Sequence, residues 1–227
     1  MGIPDAYVNW IYAWLVNRRA VIEIASTRSR WFKIARGGPQ GSSFTATLFI
    51  TYHADMEHFI PAAMSSLFAD DLAAVLAGQI GIKFRLQCID VERRLKSCFK
   101  ELEYYSQLTV QPLNYVKTKC MYTARAINYP NPLPDITGDN TQIEWVKLFK
   151  YLGYWISTKL GWGYTINQAK RRIRQQVAMV NSIKFSGTTS VELRRTLFST
   201  FVMPYFTGLF AIYPLFTNRQ REDLSHF

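Results

Sequence analysis

The chain has 227 residues, 48% of them hydrophobic, enough to bury a core in one large domain or in a domain with a small extension. Its 27 lysines and arginines against 16 acidic residues give a net charge of +11, which favours a polyanionic partner, nucleic acid first among them, although a merely basic surface gives the same balance. Three cysteines, odd in number and without metal-type spacing, argue against a disulfide framework and fit a reducing compartment.

The opening MGIPDAYVNW has no basic region followed by an apolar run, so no signal peptide is expected, and Ala6 stands where a myristoylation signal needs Ser or Thr. Pro4 and Asp5 start a helix carrying Val8, Ile11 and Leu15 at helical spacing. AVIEI (20–24) and WFKIA (31–35) flank the polar ASTRSR and predict a β-hairpin. After the loop RGGPQGSS, the residues Phe44, Leu48, Tyr52, Met56 and Phe59 mark one helix that ends near Pro61. SSLF and LAAVLA predict two tight strands around Asp70 and Asp71. A long helix runs from about Lys83 to Gln107, with Cys88, Val91, Leu95, Cys98 and Leu102 on one core stripe.

KCMYTARA (119–126) is a strand candidate and NYPNPLPDITGDN (128–140) a loop, followed by strand candidates QIEWV and KLFKYLGYWIS. Beyond Lys159 the composition changes to basic, helix-like sequence, INQAKRRIRQQVAMVNSIK and then SVELRRTLFSTFVMPYF, stopped by Pro204. A soft boundary is placed near residue 160. From Thr196 to Asn218 there is no charge, but Pro204, Gly208 and Pro214 interrupt the stretch and its aromatics are scattered, so packed helix is expected rather than a membrane span.

Asp70 and Asp71 are the only charges in the apolar run SSLFADDLAAV (65–75). Like charges beside apolar strands repel and lose hydration, a cost that a cation compensates. Mg²⁺ suits the position, because it is held by one or two carboxylates together with waters and substrate phosphates. At the tip of a tight hairpin both side chains can face one cavity. The ordinary alternative is a solvated Asp-rich turn. Upstream, in GGPQGSSFTATLF (37–49), Gly37, Gly38 and Gly41 let a backbone approach a ligand closely, and Pro39 stiffens the entry to the next helix. Gln40 offers a donor and an acceptor to a base or sugar. A connector without ligand has the same composition. His53, His58 and His226 have no metal-like spacing.

In order and spacing these pieces resemble the reverse transcriptases, most closely those of non-LTR retrotransposons. GGPQGSSFTATLF resembles the family's loop and helix beneath the templating base pair. FADD, Phe68 to Asp71, resembles its metal-binding hairpin, with Phe where Tyr is also common. LNYVKTK is similar to the Asn-x-x-Lys-Thr motif, giving Asn114, Lys117 and Thr118, with the register of Asn114 left open. KLFKYLGYWIS resembles the primer-grip strand pair, FVMPYFTG a segment late in the thumb, and MGIPDAYVNWIYAWLVNRRAVIEI the helix and strand that precede the glycine-rich loop.

The resemblance implies an α+β fold, with a partial right-hand polymerase palm over residues 1–159, its antiparallel sheet bearing the Asp pair, and a basic helical thumb over 160–227. It implies Asp70 and Asp71 as catalytic carboxylates and metal ligands for two Mg²⁺ ions, or Mn²⁺. Lys117 would supply a proton or positive charge to pyrophosphate, unless it is a plain solvated lysine. Gly38, Pro39, Gln40, Gly41 and Phe68 would lie against nucleotide and template, and Tyr151, Leu152 and Gly153 would form the primer grip. Lys170, Arg171, Arg172 and Arg174 would follow the duplex backbone, unless they are simply a solvated basic face. The implied partners are an RNA template, a DNA primer or RNA–DNA duplex and dNTPs, with no membrane, in the nucleus or cytoplasm.

The pattern departs from the family in one respect that matters. Its polymerases need a further Asp on an upstream strand, and only Asp5 and Glu23 precede the glycine-rich loop here. Neither sits in an apolar strand context. The basic fingers strands are missing too, so an N-terminally truncated reverse transcriptase domain, inactive by itself, is the expectation. The competing expectation is a catalytically inactive nucleic-acid-binding remnant or accessory protein.

Overall fold

A computed structural model describes residues 2–79, 81–123, 130–182 and 190–227. The chain is a mixed α+β protein that divides into two compact units, Met1–Ala77 and Gly78–Phe227. The change of composition at Lys159 falls inside the second unit.

In the first unit, helix α1 (Asp5–Leu15) follows Pro4, with Asp5 complementing the positive helix start. Trp10 and Trp14 stack along it at 6.1 Å, and both meet the edge of Phe44 in α2 (Ser43–Tyr52) at 5.4 and 5.5 Å. The expected hairpin forms, but in two pieces. Strand β1 (Arg19–Ala20) pairs with β4 (Phe32–Lys33), and β2 (Glu23–Ile24) pairs with β3 (Thr27–Arg28) across a turn in which Ala25 has φ +54°. The polar ASTRSR is therefore partly strand. Arg30 and Trp31 together oppose the single residue Val21, a β-bulge between the two pieces.

The single helix expected over 44–59 is instead two, α2 and α3 (Met56–Phe59). Between them the bonds tighten to i→i−3, from Ala54 N–H to the Thr51 carbonyl and from Met56 N–H to that of His53. The buried His53 ring packs on Phe49 and Tyr52 there. Strands β5 (Met64–Phe68) and β6 (Asp71–Val75) then pair in full register, as expected.

The second unit begins with the 26-residue helix α4 (Phe84–Thr109), which ends where Val110 turns left-handed at φ +54°. Cys98 and Leu102 are buried on the predicted stripe, while Cys88 is half-buried. Strand β7 (Lys119–Cys120) runs parallel to β10 (Glu144–Trp145). The strand expected over 119–126 is described only at this start, since 124–129 lie outside the described residues. The loop expected over 128–140 contains a strand: β8 (Thr137–Gly138) pairs with β9 (Thr141–Gln142) around Asp139 and Asn140, both at positive φ. Asp and Asn tolerate that conformation, so residues that read as loop close a hairpin. Ile136, Ile143 and Cys120 form its core with Leu95, Phe99, Tyr115 and Trp145.

Strands β11 (Leu148–Tyr151) and β12 (Tyr154–Ser157) form a further hairpin. Helices α5 (Gly163–Ser182), α6 (Val191–Phe201), α7 (Met203–Phe210) and α8 (Asn218–Ser225) complete the unit. Pro204 ends nothing itself; it sits in the first turn of α7, where its missing N–H is harmless. Two clusters join these helices, Ile173–Val180–Val202 and Ile166–Leu209–Ile212–Phe216. The uncharged stretch 196–218 is packed helix, and among the described residues no helix is long and apolar enough to cross a membrane.

Tyr115 ties α4 to the β8–β9 hairpin, donating to Glu103 Oε1 (3.1 Å), which also accepts from the Asp139 N–H (3.1 Å). Burial, then the bond to Glu103 and the charges of Glu103 and Asp139, push its phenol up to about 12. The folded state therefore holds this proton more tightly than the unfolded chain, whose phenol titrates near about 10. The associated stability is whole below about pH 10 and is lost as pH rises towards the folded value. Tyr122 and the Cys120 thiol, raised mainly by burial, add in the same direction. Tyr115→Phe should cost about 1 kcal/mol in urea melts at neutral pH and flatten the decline above about pH 10.

Candidate functional site

The β5–β6 hairpin closes with Phe68 opposite Asp71, leaving Ala69 and Asp70 as a two-residue turn. Ala69 has φ +51°, the conformation that tight hairpin turns demand. Asp70 thus stands at the tip, and strand alternation sets Asp71 on the face of Phe68, Ser66 and Ala73. Both carboxylates are exposed. The apolar flanks are not buried as expected: Met64, Phe68 and Val75 are 77%, 63% and 60% exposed. Two strands alone have no layer to bury their faces against. The pair lies on the exposed surface of the hairpin. Among the described residues no cluster of three or more His, Cys, Asp and Glu side chains could hold a metal. Two adjacent carboxylates still suit Mg²⁺, whose remaining ligands are waters and phosphates.

The glycine-rich loop is held from both ends. Gly37 and Gly41 take φ +77° and +88°. Thr45 Oγ1 donates to the Pro39 carbonyl at 2.8 Å, and the same side chain lies against Gly38, where an added Cβ would stand 2.5 Å from Thr45 Cγ2. On the other side Arg18 donates to the Gly37 carbonyl and, at 2.9 Å, to that of Leu15. Gln40 is exposed at the loop's crest and Pro39 is half-buried. Thr45 and Arg18 were not recognised in the sequence, because a Thr inside a helix and an Arg after one are common in any chain.

The other predicted residues belong to the second unit. Asn114 accepts from the Lys117 N–H through its side chain (3.1 Å) and its carbonyl (3.2 Å), and its carbonyl accepts from Thr118 Oγ1 (2.9 Å). The Asn-x-x-Lys-Thr step is thus a self-bonded turn presenting an exposed Lys117. Leu152 and Gly153, at φ +47° and +89°, make the two-residue turn after Tyr151. Their hairpin is pinned to the helices, Thr165 Oγ1 bonding the Trp155 N–H and carbonyl (3.0 and 2.8 Å), and Tyr154 donating to the Gly208 carbonyl (2.7 Å).

One predicted contact residue is corrected. Lys170 is buried, with its ammonium on the Asp223 carboxylate (2.7 Å) and carbonyl (2.7 Å) and 5.1 Å from the Phe227 ring. Its place was visible in the helical phase: Ile166, Ile173 and Val180 recur every seven residues on the buried side, and Lys170 lies between them. Arg171, Arg172 and Arg174 remain exposed, with Arg174 against Phe227 at 4.9 Å.

No protein-family model, curated protein or solved structure matches the chain.

The loop geometry has a direct consequence. Gly38→Ala should drive Thr45 off the Pro39 carbonyl and cost about 1–3 kcal/mol by urea denaturation. Adding Thr45→Ser, which removes the clashing methyl and keeps the hydroxyl, should recover part of that loss.

Proposed function

We propose that the chain is palm- and thumb-type sequence of a reverse transcriptase, an RNA-directed DNA polymerase of the non-LTR retrotransposon type. The observation that carries this reading is the FADD hairpin, with its two-residue turn and two adjacent exposed carboxylates. The ordered sequence resemblance from the glycine-rich loop to the thumb supports it.

Asp70 would be the principal ligand of a divalent metal and Asp71 the second, their oxygens suited to Mg²⁺ or Mn²⁺. Such a metal, when bound, supplies charge neutralisation to a primer hydroxyl and to the leaving pyrophosphate. By the sequence resemblance, Lys117, exposed on its turn, would supply a proton or positive charge to pyrophosphate. Gly38, Pro39, Gln40 and Gly41 offer a stiff backbone surface and one free amide to a base pair, and Phe68 an exposed ring beside the carboxylates. Tyr151, Leu152 and Gly153 offer a rigid turn to a primer, and Arg171, Arg172 and Arg174 a charged helix face to duplex phosphates.

A second reading, a nucleic-acid-binding remnant without catalysis, is favoured by one specific observation. Only Asp5 and Glu23 precede the glycine-rich loop, and neither sits in the apolar strand context that the resembled family's further Asp requires.

Incubating the chain with poly(rA)/oligo(dT), Mg²⁺ and dTTP separates the two. The duplex should bind in a salt-sensitive manner, and incorporation should be weak and fall about a hundred-fold or more in Asp70→Asn. Binding with no incorporation in either protein carries the second reading. No binding even at low salt overturns both.

A further inference from the structure

We infer that the bulged hairpin from Arg19 to Lys33 is a docking element for single-stranded nucleic acid, separate from the carboxylate hairpin and independent of any polymerase activity. All the cations of the first unit fall between residues 18 and 36: Arg18, Arg19, Arg28, Arg30, Lys33 and Arg36. Two are committed locally, Arg28 to the Glu23 carboxylate at 3.0 Å and Arg18 to backbone carbonyls. Among the described residues, Arg19, Arg30 and Lys33 have no side-chain hydrogen bond or ion pair, and all are exposed.

The pairing makes this concentration of charge unusual. Arg19 and Lys33 are direct cross-strand partners, so two like charges lie side by side on one face. That arrangement destabilises a sheet unless an anion is laid across it. The bulge adds to the same face. Arg30 and Trp31 together oppose Val21, which shares its side with Arg19, so both lean towards the Arg19–Lys33 pair. The opposite side carries no charge here, with Ala20 and Ile34 half-buried and Phe32 exposed. One face thus gathers three unpaired cations around an indole that is 68% exposed.

Cations spaced along a β-ribbon suit a phosphodiester backbone, and an exposed indole among them suits an unpaired base, whose π-face is available only in a single strand. A duplex would meet the charges and leave Trp31 without a partner. An anionic membrane would engage the same charges, and it forms the competing arm of the test.

The full-length chain, in EDTA and without dNTP, is titrated with fluorescent poly(U) over a series of salt concentrations and separately with phosphatidylserine vesicles. Lys33→Thr should not lower the melting temperature, because it removes a like-charge pair and adds a good strand former, yet it should weaken poly(U) binding. Arg19→Ala/Lys33→Thr should reduce the log–log salt slope by about 1.4. Trp31→Ala should weaken binding about five-fold or more. Arg28→Ala, removing a cation already held by Glu23, should change binding less than Lys33→Thr does. The inference is overturned if the folded double variant binds poly(U) with unchanged affinity and slope, or if these substitutions weaken vesicle binding alone. Because neither metal nor nucleotide is present, failure of primer extension leaves this outcome untouched, and the converse holds as well.

Discussion

The repulsion between Asp70 and Asp71 is the constraint on which the functional reading depends. The two residues are adjacent at the tip: Asp70 occupies the second position of the turn and Asp71 opens the returning strand. Among the described residues neither forms an ion pair or side-chain hydrogen bond. Any compensation of their charge therefore comes from solution. The turn itself asks φ +51° of Ala69, a conformation unfavourable for a residue with a Cβ. A chain optimised only for stability would place Gly or Asn there and one carboxylate, not two.

The same unit shows a parallel conflict of opposite sign. Arg19 and Lys33 face each other across a ribbon just as the aspartates crowd a turn. At both places charge lacks a partner among the described residues, and both expose an aromatic ring beside it, Phe68 in one and Trp31 in the other. The second unit pairs some of its charges internally: Asp90 is held below the usual carboxylate range chiefly by its bond to Arg93, with Arg94 adding to the effect, and Lys170 is enclosed by Asp223 and Phe227. Arg171, Arg172 and Arg174 stay exposed, Arg174 against Phe227, on a helix fixed by its seven-residue apolar repeat.

Much of this was legible from residue order. Helical spacing marked α1 and α4, basic helix-like composition marked α5, and short apolar or aromatic runs marked the β5–β6 and β11–β12 hairpins. Shorter features escaped. The Thr137–Gln142 hairpin has two-residue strands around Asp-Asn, too brief for any period, and was hidden in a proline-rich stretch. The break at His53 left no mark in the apolar spacing, which runs on through Met56 to Phe59. At the candidate site, the carboxylate pair and the glycines were visible as residue types in sequence. The Thr45 and Arg18 contacts that fix the loop were not, since they join residues six and nineteen positions apart. Lys170 is the instructive case, because composition marked it as a surface cation while the phase of its own helix placed it inside.

The most direct test of the carboxylate pair is paramagnetic. Mn²⁺ added to isotopically labelled chain with template–primer and dTTP should broaden the backbone resonances of Ala69, Asp70, Asp71 and Leu72 first, and Asp70→Asn/Asp71→Asn should abolish that broadening while the fold persists. Resonances at the tip that stay sharp, or broadening that survives loss of both carboxylates, would contradict the account.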